Sequence, residues 1–235
     1  MKIRIKFAKY GTMKYIGHLD MMRFFQKAIR RAQIDVKYSE GFSPHQIMSF
    51  AAPLGVGLES TGEYMDLEVL TMTSTQEIKQ ALNQVMVEGV EILSVIVLPD
   101  NAKNAMASVA AASYRLQRKE SPYPVENLAR KLRDFLAQDT IPYTKETKKS
   151  VVELDLKQHI YALESESENA ICMTVNASSS GNIKPAMVME QFSRFTGIEI
   201  PAMSYQITKL ETYAEAAGTS TPKGPHRFVP LDAIT

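Results

Sequence analysis

Residues 2–9, Lys-Ile-Arg-Ile-Lys-Phe-Ala-Lys, and residues 18–33, His-Leu-Asp-Met-Met-Arg-Phe-Phe-Gln-Lys-Ala-Ile-Arg-Arg-Ala-Gln, decide the fold of this chain. In the first stretch Ile3, Ile5 and Phe7 alternate with Arg4 and Lys6, the period of a strand with one buried face. In the second, Met22, Phe25, Ile29 and Ala32 recur at helical spacing, with Arg23, Lys27, Arg30 and Arg31 on a neighbouring face. The chain therefore opens with a strand followed by an amphipathic helix whose polar side is basic.

Downstream, residues 34–38 read as a short extended piece, 39–46 as a loop and 47–54 as a strand. Turn chemistry over 55–62 sends the chain back through 63–70, closing a hairpin. Ser74 and Glu77 form a capping box before Ile78, Leu82 and Val85, Gly89 stops that helix, and 90–98 is a β-branched strand. The order βαββαβ is the ferredoxin-like one. Residues 101–112, rich in Asn, Ala and Ser, read as a linker, after which the plan repeats. A strand ends near Tyr114, Arg115 and Leu116, and Pro124 opens a helix carrying Leu128, Leu132 and Phe135. Strands follow at 141–147, 151–157 (Val152, Leu154 and Leu156 inward) and 171–175. Pro185 opens a helix with Val188, Phe192 and Phe195, Gly197 closes it, and a last strand covers about 203–213. The expected fold is α/β (α+β), two ferredoxin-like βαββαβ units in tandem at 1–98 and 109–213, then an extended tail at 214–235. Gly218, Pro222, Pro225 and Pro230 mark that tail, and its Phe228, Val229 and Leu231 are expected to dock.

With 45% hydrophobic and 23% charged residues, the composition is that of a folded globular protein. Lys2, Arg4, Lys6 and Lys9 interrupt the apolar residues of the N-terminus, which is wrong for a secretory leader. No apolar run approaches the ~20 residues of a membrane span, so a soluble cytoplasmic protein is expected. Cys172 is the one cysteine, which excludes a disulfide within the chain and a zinc or iron–sulfur centre held by several thiolates. The net charge of +1 hides an asymmetry: residues 1–38 carry ten Lys/Arg against Asp20 and Asp35, or +8, leaving −7 for the rest. Such an asymmetry points to a polyanionic partner, or to a basic segment that the rest of the chain folds back to neutralise.

The densest polar constellation lies in the first half. Gly17, His18, Leu19 and Asp20 start the basic helix, Tyr38-Ser39-Glu40-Gly41-Phe42-Ser43-Pro44-His45 forms a tight loop, and Ser60 with Glu63 and Tyr64 follows. Asp20 favours the positive end of the helix dipole, and His18 is equally readable as a cap or a surface imidazole. The candidate acid–base residues are His18, Asp20, His45 and Glu63, with His18, Asp20 and His45 expected close together. Arg23, Lys27, Arg30, Arg31, Tyr38, Ser39, Gly41, Phe42, Pro44 and Ser60 are the candidate binding residues. Tyr10, Tyr15, Phe42 and Tyr64 are available for base stacking or for the core.

The same residues, together with Ser49-Phe50 and Pro53-Leu54-Gly55-Val56-Gly57, resemble the N-terminal signature of a radical-SAM-associated family of unknown function. The resemblance is dense over 2–70, with Gly17 and Glu40 standing where the pattern has Ser and Gln. It implies the family's free-standing form, without the radical-SAM core, and a radical-SAM protein as partner; no assigned reaction comes with it. One cysteine cannot hold the cluster of that chemistry, so the chain is not expected to perform it. Two functions follow. The first is a non-catalytic RNA-binding or substrate-presenting module for a radical-SAM modification enzyme, without cofactor or metal. The second is a small metal-dependent or acid–base enzyme using His18, Asp20, His45 and Glu63, for which no close metal-ligand spacing speaks.

Overall fold

A computed structural model describes residues 1–146, 151–216 and 226–233. The strand end expected at Thr147, the side chain of Val152 and the tail residues Gly218, Pro222 and Pro225 lie outside what it describes. Along the chain run β1 (Lys2–Lys9), α1 (His18–Arg31), β2 (Met48–Phe50), β3 (Glu59–Glu68), α2 (Thr75–Val85), β4 (Val90–Val97) and α3 (Ala105–Ser108). There follow β5 (Ala111–Arg118), α4 (Leu128–Leu136), β6 (Pro142–Glu146), β7 (Val151–Asp155), β8 (Ile160–Ser167), β9 (Ala170–Asn176), α5 (Pro185–Thr196), β10 (Tyr205–Glu215) and β11 (Phe228–Pro230). The protein is thus a mixed α/β structure. It divides into two compact units, Met1–Val109 with Glu211–Thr235, and Ala110–Leu210.

In the first unit the strand order is β4-β1-β3, with β2 also on β3 and β11 on β10. β1 is antiparallel to both neighbours and β2 is antiparallel to β3. Ile3, Ile5 and Phe7 of β1, Met65 and Leu67 of β3 and Ile92 of β4 meet Met21, Phe25 and Ile29 of α1 and Leu82 of α2 in one apolar core. Alternation then places Arg4 and Lys6 on the opposite face. There Arg4, 1% exposed, grips Asp66 through two bonds of 2.7 and 3.0 Å and donates to the carbonyls of Leu231 and Lys103. Asp66 also accepts from the Ala105 amide at 2.7 Å, which anchors the short α3. Lys6 pairs with Glu211, and the Tyr64 hydroxyl lies 2.7 Å from Glu211 and 2.9 Å from Asp232. Ser94 donates to the other Asp232 oxygen at 2.7 Å, so β1, β3 and β4 all hold the segment after β11.

The second unit has the order β10-β5-β9-β8, with β9 antiparallel to β5 and β8, and a separate β6-β7 hairpin. Its core gathers Leu116, Ile171, Met173 and Val175 against Leu132 and Phe135 of α4 and Val188 and Phe192 of α5.

Several boundaries differ from the sequence expectation for identifiable reasons. β2 is three residues long because Ala51 and Ala52 already bend toward Pro53, whereas β3 begins at Glu59, inside the stretch expected to be turn. Pro124 does not open α4: Asn127 is left-handed (φ 54), and the helix starts after it, at Leu128. The expected linker contains α3, capped by Asn104, whose side chain accepts from the Ala107 amide at 2.8 Å. β8 was absent from the expectation because Glu164, Ser165, Glu166 and Ser167 read as loop; β8 is an end strand of the path and needs few apolar residues. Gly89 has φ +93, and a Cβ there would stand 2.6 Å from the Tyr10 carbonyl oxygen, so only glycine fits this turn.

Candidate functional site

Two of the alternating patterns break at their ends. On β1 the inward series Ile3, Ile5, Phe7 continues to Lys9, and on β3 the inward series Leu67, Met65 continues to Glu63. Both ionisable side chains therefore enter positions where an apolar residue is due, and both are buried, at 2% and 4% exposure. They line a cavity of about 20 Å³ with Phe7, His18, Met21, Phe50, Ala52 and Leu54. That volume suits a water molecule or one functional group of a ligand.

Each polar group there is held. The Lys9 ammonium donates to the Ile16 carbonyl at 2.6 Å, just before α1. Ser60, also buried, donates to Glu63 at 2.8 Å and accepts from the Gly62 amide at 3.1 Å. His18, the first residue of α1, meets the Phe50 ring edge-to-face at 5.3 Å, and Phe50 in turn packs against Phe7 and Phe25. Burial pushes the Lys9 amine below the ordinary lysine range, and the Glu63 carboxylate partly opposes that shift. An amine, a carboxylate and an imidazole thus surround one small apolar-walled space.

The four expected acid–base residues do not share this place. His18 and Glu63 line the cavity. Asp20 is exposed and pairs with Arg23 at 3.1 Å. His45 is exposed and bonds Ser39 at 2.9 Å through Nδ1, while its amide donates to the Ser39 hydroxyl. Among the described residues no group of three His, Cys, Asp or Glu side chains could hold a metal ion. Cys172 is half-buried, and burial followed by the charge of Glu166 raises its thiol, keeping it protonated. Lys9 was missing from the sequence-derived candidates, although its phase with Ile3, Ile5 and Phe7 marks it.

The expected binding residues fall into two groups. Arg23, Lys27 and Arg30 are exposed along α1, and among the described residues Lys27 and Arg30 have no ion pair. Arg31 donates to the carbonyl of Val85, the last residue of α2, at 3.0 Å. The loop containing Ser39, Gly41 (φ +107) and Pro44 is closed by a bridge between Tyr38 and Gln46, and Gln46 donates to the Gln26 carbonyl at 3.4 Å, tying the loop to the middle of α1. At its tip Phe42 is wholly exposed, and Tyr38 is 46% exposed. Carboxylates outside residues 1–38 neutralise much of the N-terminal positive charge: Arg4, Lys6, Lys14 and Lys37 form ion pairs with Asp66, Glu211, Glu59 and Glu68, and Lys9 faces Glu63. Within residues 1–38, Lys9 apart, the basic side chains without an ion pair among the described residues are Lys2, Lys27, Arg30 and Arg31, the last three on α1. Tyr64, a stacking candidate, is buried at 1% exposure, whereas Tyr10 and Tyr15 are exposed.

Comparison with protein families gives a match over residues 2–185 to the family described as uncharacterized protein conserved in bacteria, DUF2344. The chain belongs to the DUF2344 family. No curated protein matches this DUF2344 chain. Among solved structures it is similar to a chain in the crystal structure of a Cbf5-Nop10-Gar1 complex, at 10% identity and a TM-score of 0.47, over 89% of this chain and 48% of that one. The DUF2344 chain therefore spans about half the length of that structural neighbour. No helix among the described residues is long and apolar enough to cross a membrane.

Proposed function

We propose that this DUF2344 protein is an RNA-binding module that presents single-stranded RNA to a modification enzyme carried by another chain, a radical-SAM protein being the partner implied by the sequence resemblance. The observation that carries the reading is Phe42: an aromatic ring wholly exposed on a loop that is fastened to a helix with unmatched cations. A buried aromatic contributes to folding, whereas an exposed one on a cationic surface offers a face for an unstacked base. Such pairing of rings with positive charge favours single strands over duplexes, whose bases are already stacked. The cytoplasm, where RNA modification occurs, is the location that goes with this role.

The fold we propose beneath it is a pair of ferredoxin-like units. The first is supported by the order β4-β1-β3-β2 with α1 and α2 as crossovers. The second is supported by β10-β5-β9-β8 with α4 and α5 as crossovers, the β6-β7 hairpin being an insertion. Acid–base chemistry is a second reading, favoured by the cavity that His18 and Glu63 share with Lys9.

The RNA reading is tested by fluorescence anisotropy with a single-stranded oligoribonucleotide and its duplex. Tighter binding of the single strand is expected, and Phe42→Ala is expected to weaken it about five-fold or more, the loss of one stacked base, without shifting the denaturation midpoint. Equal affinity for both RNAs, unchanged by Phe42→Ala, would count against the role given to the loop.

A further inference from the structure

We propose that Lys9 is a nucleophilic amine that forms an imine with a small uncharged aldehyde or ketone entering the cavity it shares with Glu63 and His18. The inference is independent of RNA binding.

Four observations carry it. Lys9 occupies an inward position of β1, in phase with Ile3, Ile5 and Phe7, so burying it costs desolvation that an apolar residue would avoid. Among the described residues its amine hydrogen-bonds to the Ile16 carbonyl at 2.6 Å, and a neutral amine making that donation keeps its lone pair for a carbon electrophile. The adjoining cavity, about 20 Å³, admits a carbonyl group, and Phe7, Phe50 and Leu54 give it walls that favour an uncharged, apolar substituent. Glu63 and His18 complete the lining, so a carboxylate and an imidazole stand with the amine around the same space. Burial, which holds Lys9 below the ordinary lysine range against the opposing charge of Glu63, increases the neutral fraction near pH 7.

The reaction balances with the groups present. The Lys9 nitrogen adds to the carbonyl carbon as the C=O π pair moves to oxygen; proton transfer from nitrogen to oxygen through His18 gives the carbinolamine. The nitrogen lone pair then expels the hydroxyl, which takes a proton relayed by His18 from solvent and leaves as water. The product is a protonated imine whose positive charge faces Glu63. Neither an oxidant nor a reductant takes part. The Glu63 carboxylate at the cavity also explains the restriction to uncharged carbonyl compounds, since an anionic one would meet a like charge.

The test uses the wild-type protein, limiting propanal and sodium cyanoborohydride, which reduces the imine to a stable secondary amine. Peptide mapping then follows the label at Lys9 and at the exposed Lys27 as a function of pH. The expected result is that Lys9 is labelled several-fold faster than Lys27 at pH 7 and that its rate levels off at a lower pH. In Glu63→Gln the Lys9 profile should move to still lower pH, because the charge that raises its pKa is gone. Labelling of Lys9 no faster than Lys27 at every pH overturns the proposal, whether the cause is an ordinary amine or a closed cavity. A Lys9 profile identical in wild type and Glu63→Gln overturns the pairing with Glu63.

Discussion

Replacing Arg4 by Met tests the polar clasp on the face of the first sheet opposite α1 and α2. Arg4 and Asp66 are almost fully buried, and removing one member of a buried ion pair costs about 3–5 kcal/mol because the remaining charge is stranded. Arg4 also satisfies the carbonyls of Leu231 and Lys103, and a buried carbonyl left without a donor costs roughly 1–3 kcal/mol. The Lys103 bond is partly buried, so water replaces most of it, and the combined cost is about 4–8 kcal/mol. The double variant Arg4→Met/Asp66→Leu removes the stranded charge but leaves the two carbonyls and the Ala105 amide unpaired, so roughly 2–6 kcal/mol of the loss should persist. Urea denaturation measures both values. Hydrogen exchange of the Leu231 amide, which donates to Thr212, reports release of the C-terminal segment and should accelerate in Arg4→Met. A cost under about 1 kcal/mol with unchanged exchange at Leu231 would refute the reasoning, because it would mean that Arg4 is hydrated in the folded protein.

Three further outcomes follow from local geometry. Gly17 caps α1 without a side-chain bond and has open space at its Cβ position, so Gly17→Ser should stabilise the protein by a few tenths of a kcal/mol in the same urea assay. Gly89→Ala should cost about 2 kcal/mol or more, since its φ of +93 is strained for alanine and the Tyr10 carbonyl blocks the Cβ. Burial, then the hydrogen bond and charge of Glu211 and the charge of Asp232, hold the Tyr64 phenol well above its ordinary value. An unfolded tyrosine ionises near pH 10, so Tyr64 contributes stability below about pH 10 that is lost as pH rises further. The urea midpoint should fall above that pH, and less steeply in Tyr64→Phe.

The parts of the fold that rest on strong periodicity were legible in the residues. Ile3, Ile5 and Phe7 gave β1, the Phe25–Ile29 spacing gave α1, and Pro185 with Gly197 bounded α5. Edge and turn elements were not legible, because their side chains answer to solvent or to a single backbone angle: β8 is acidic and Ser-rich, and Asn127 delays α4 by adopting a left-handed conformation. Of the four candidate acid–base residues, His18 and Glu63 line one cavity, whereas Asp20 and His45, grouped with His18 as residues at the loop ends of neighbouring elements, have other partners. Lys9 required reading a charge in phase with the core as a signal rather than as one more basic residue. The +8 of residues 1–38 overstated the free charge, since the carboxylates that neutralise much of it come from β3, at Glu59, Glu63, Asp66 and Glu68, and from Glu211.

The claim that α1 binds RNA is tested most directly by the slope of log affinity against log salt for a single-stranded oligoribonucleotide, in wild type and in Arg23→Ala/Lys27→Ala/Arg30→Ala. The three side chains are exposed and follow one another by four and three residues, so their removal leaves the apolar face of α1 intact. Each lost phosphate contact lowers the slope by about 0.7 on a single strand, so the account predicts a decrease of about 2 together with weaker binding. Wild-type affinity that does not change with salt, or a triple variant whose slope and affinity equal those of wild type, would contradict it.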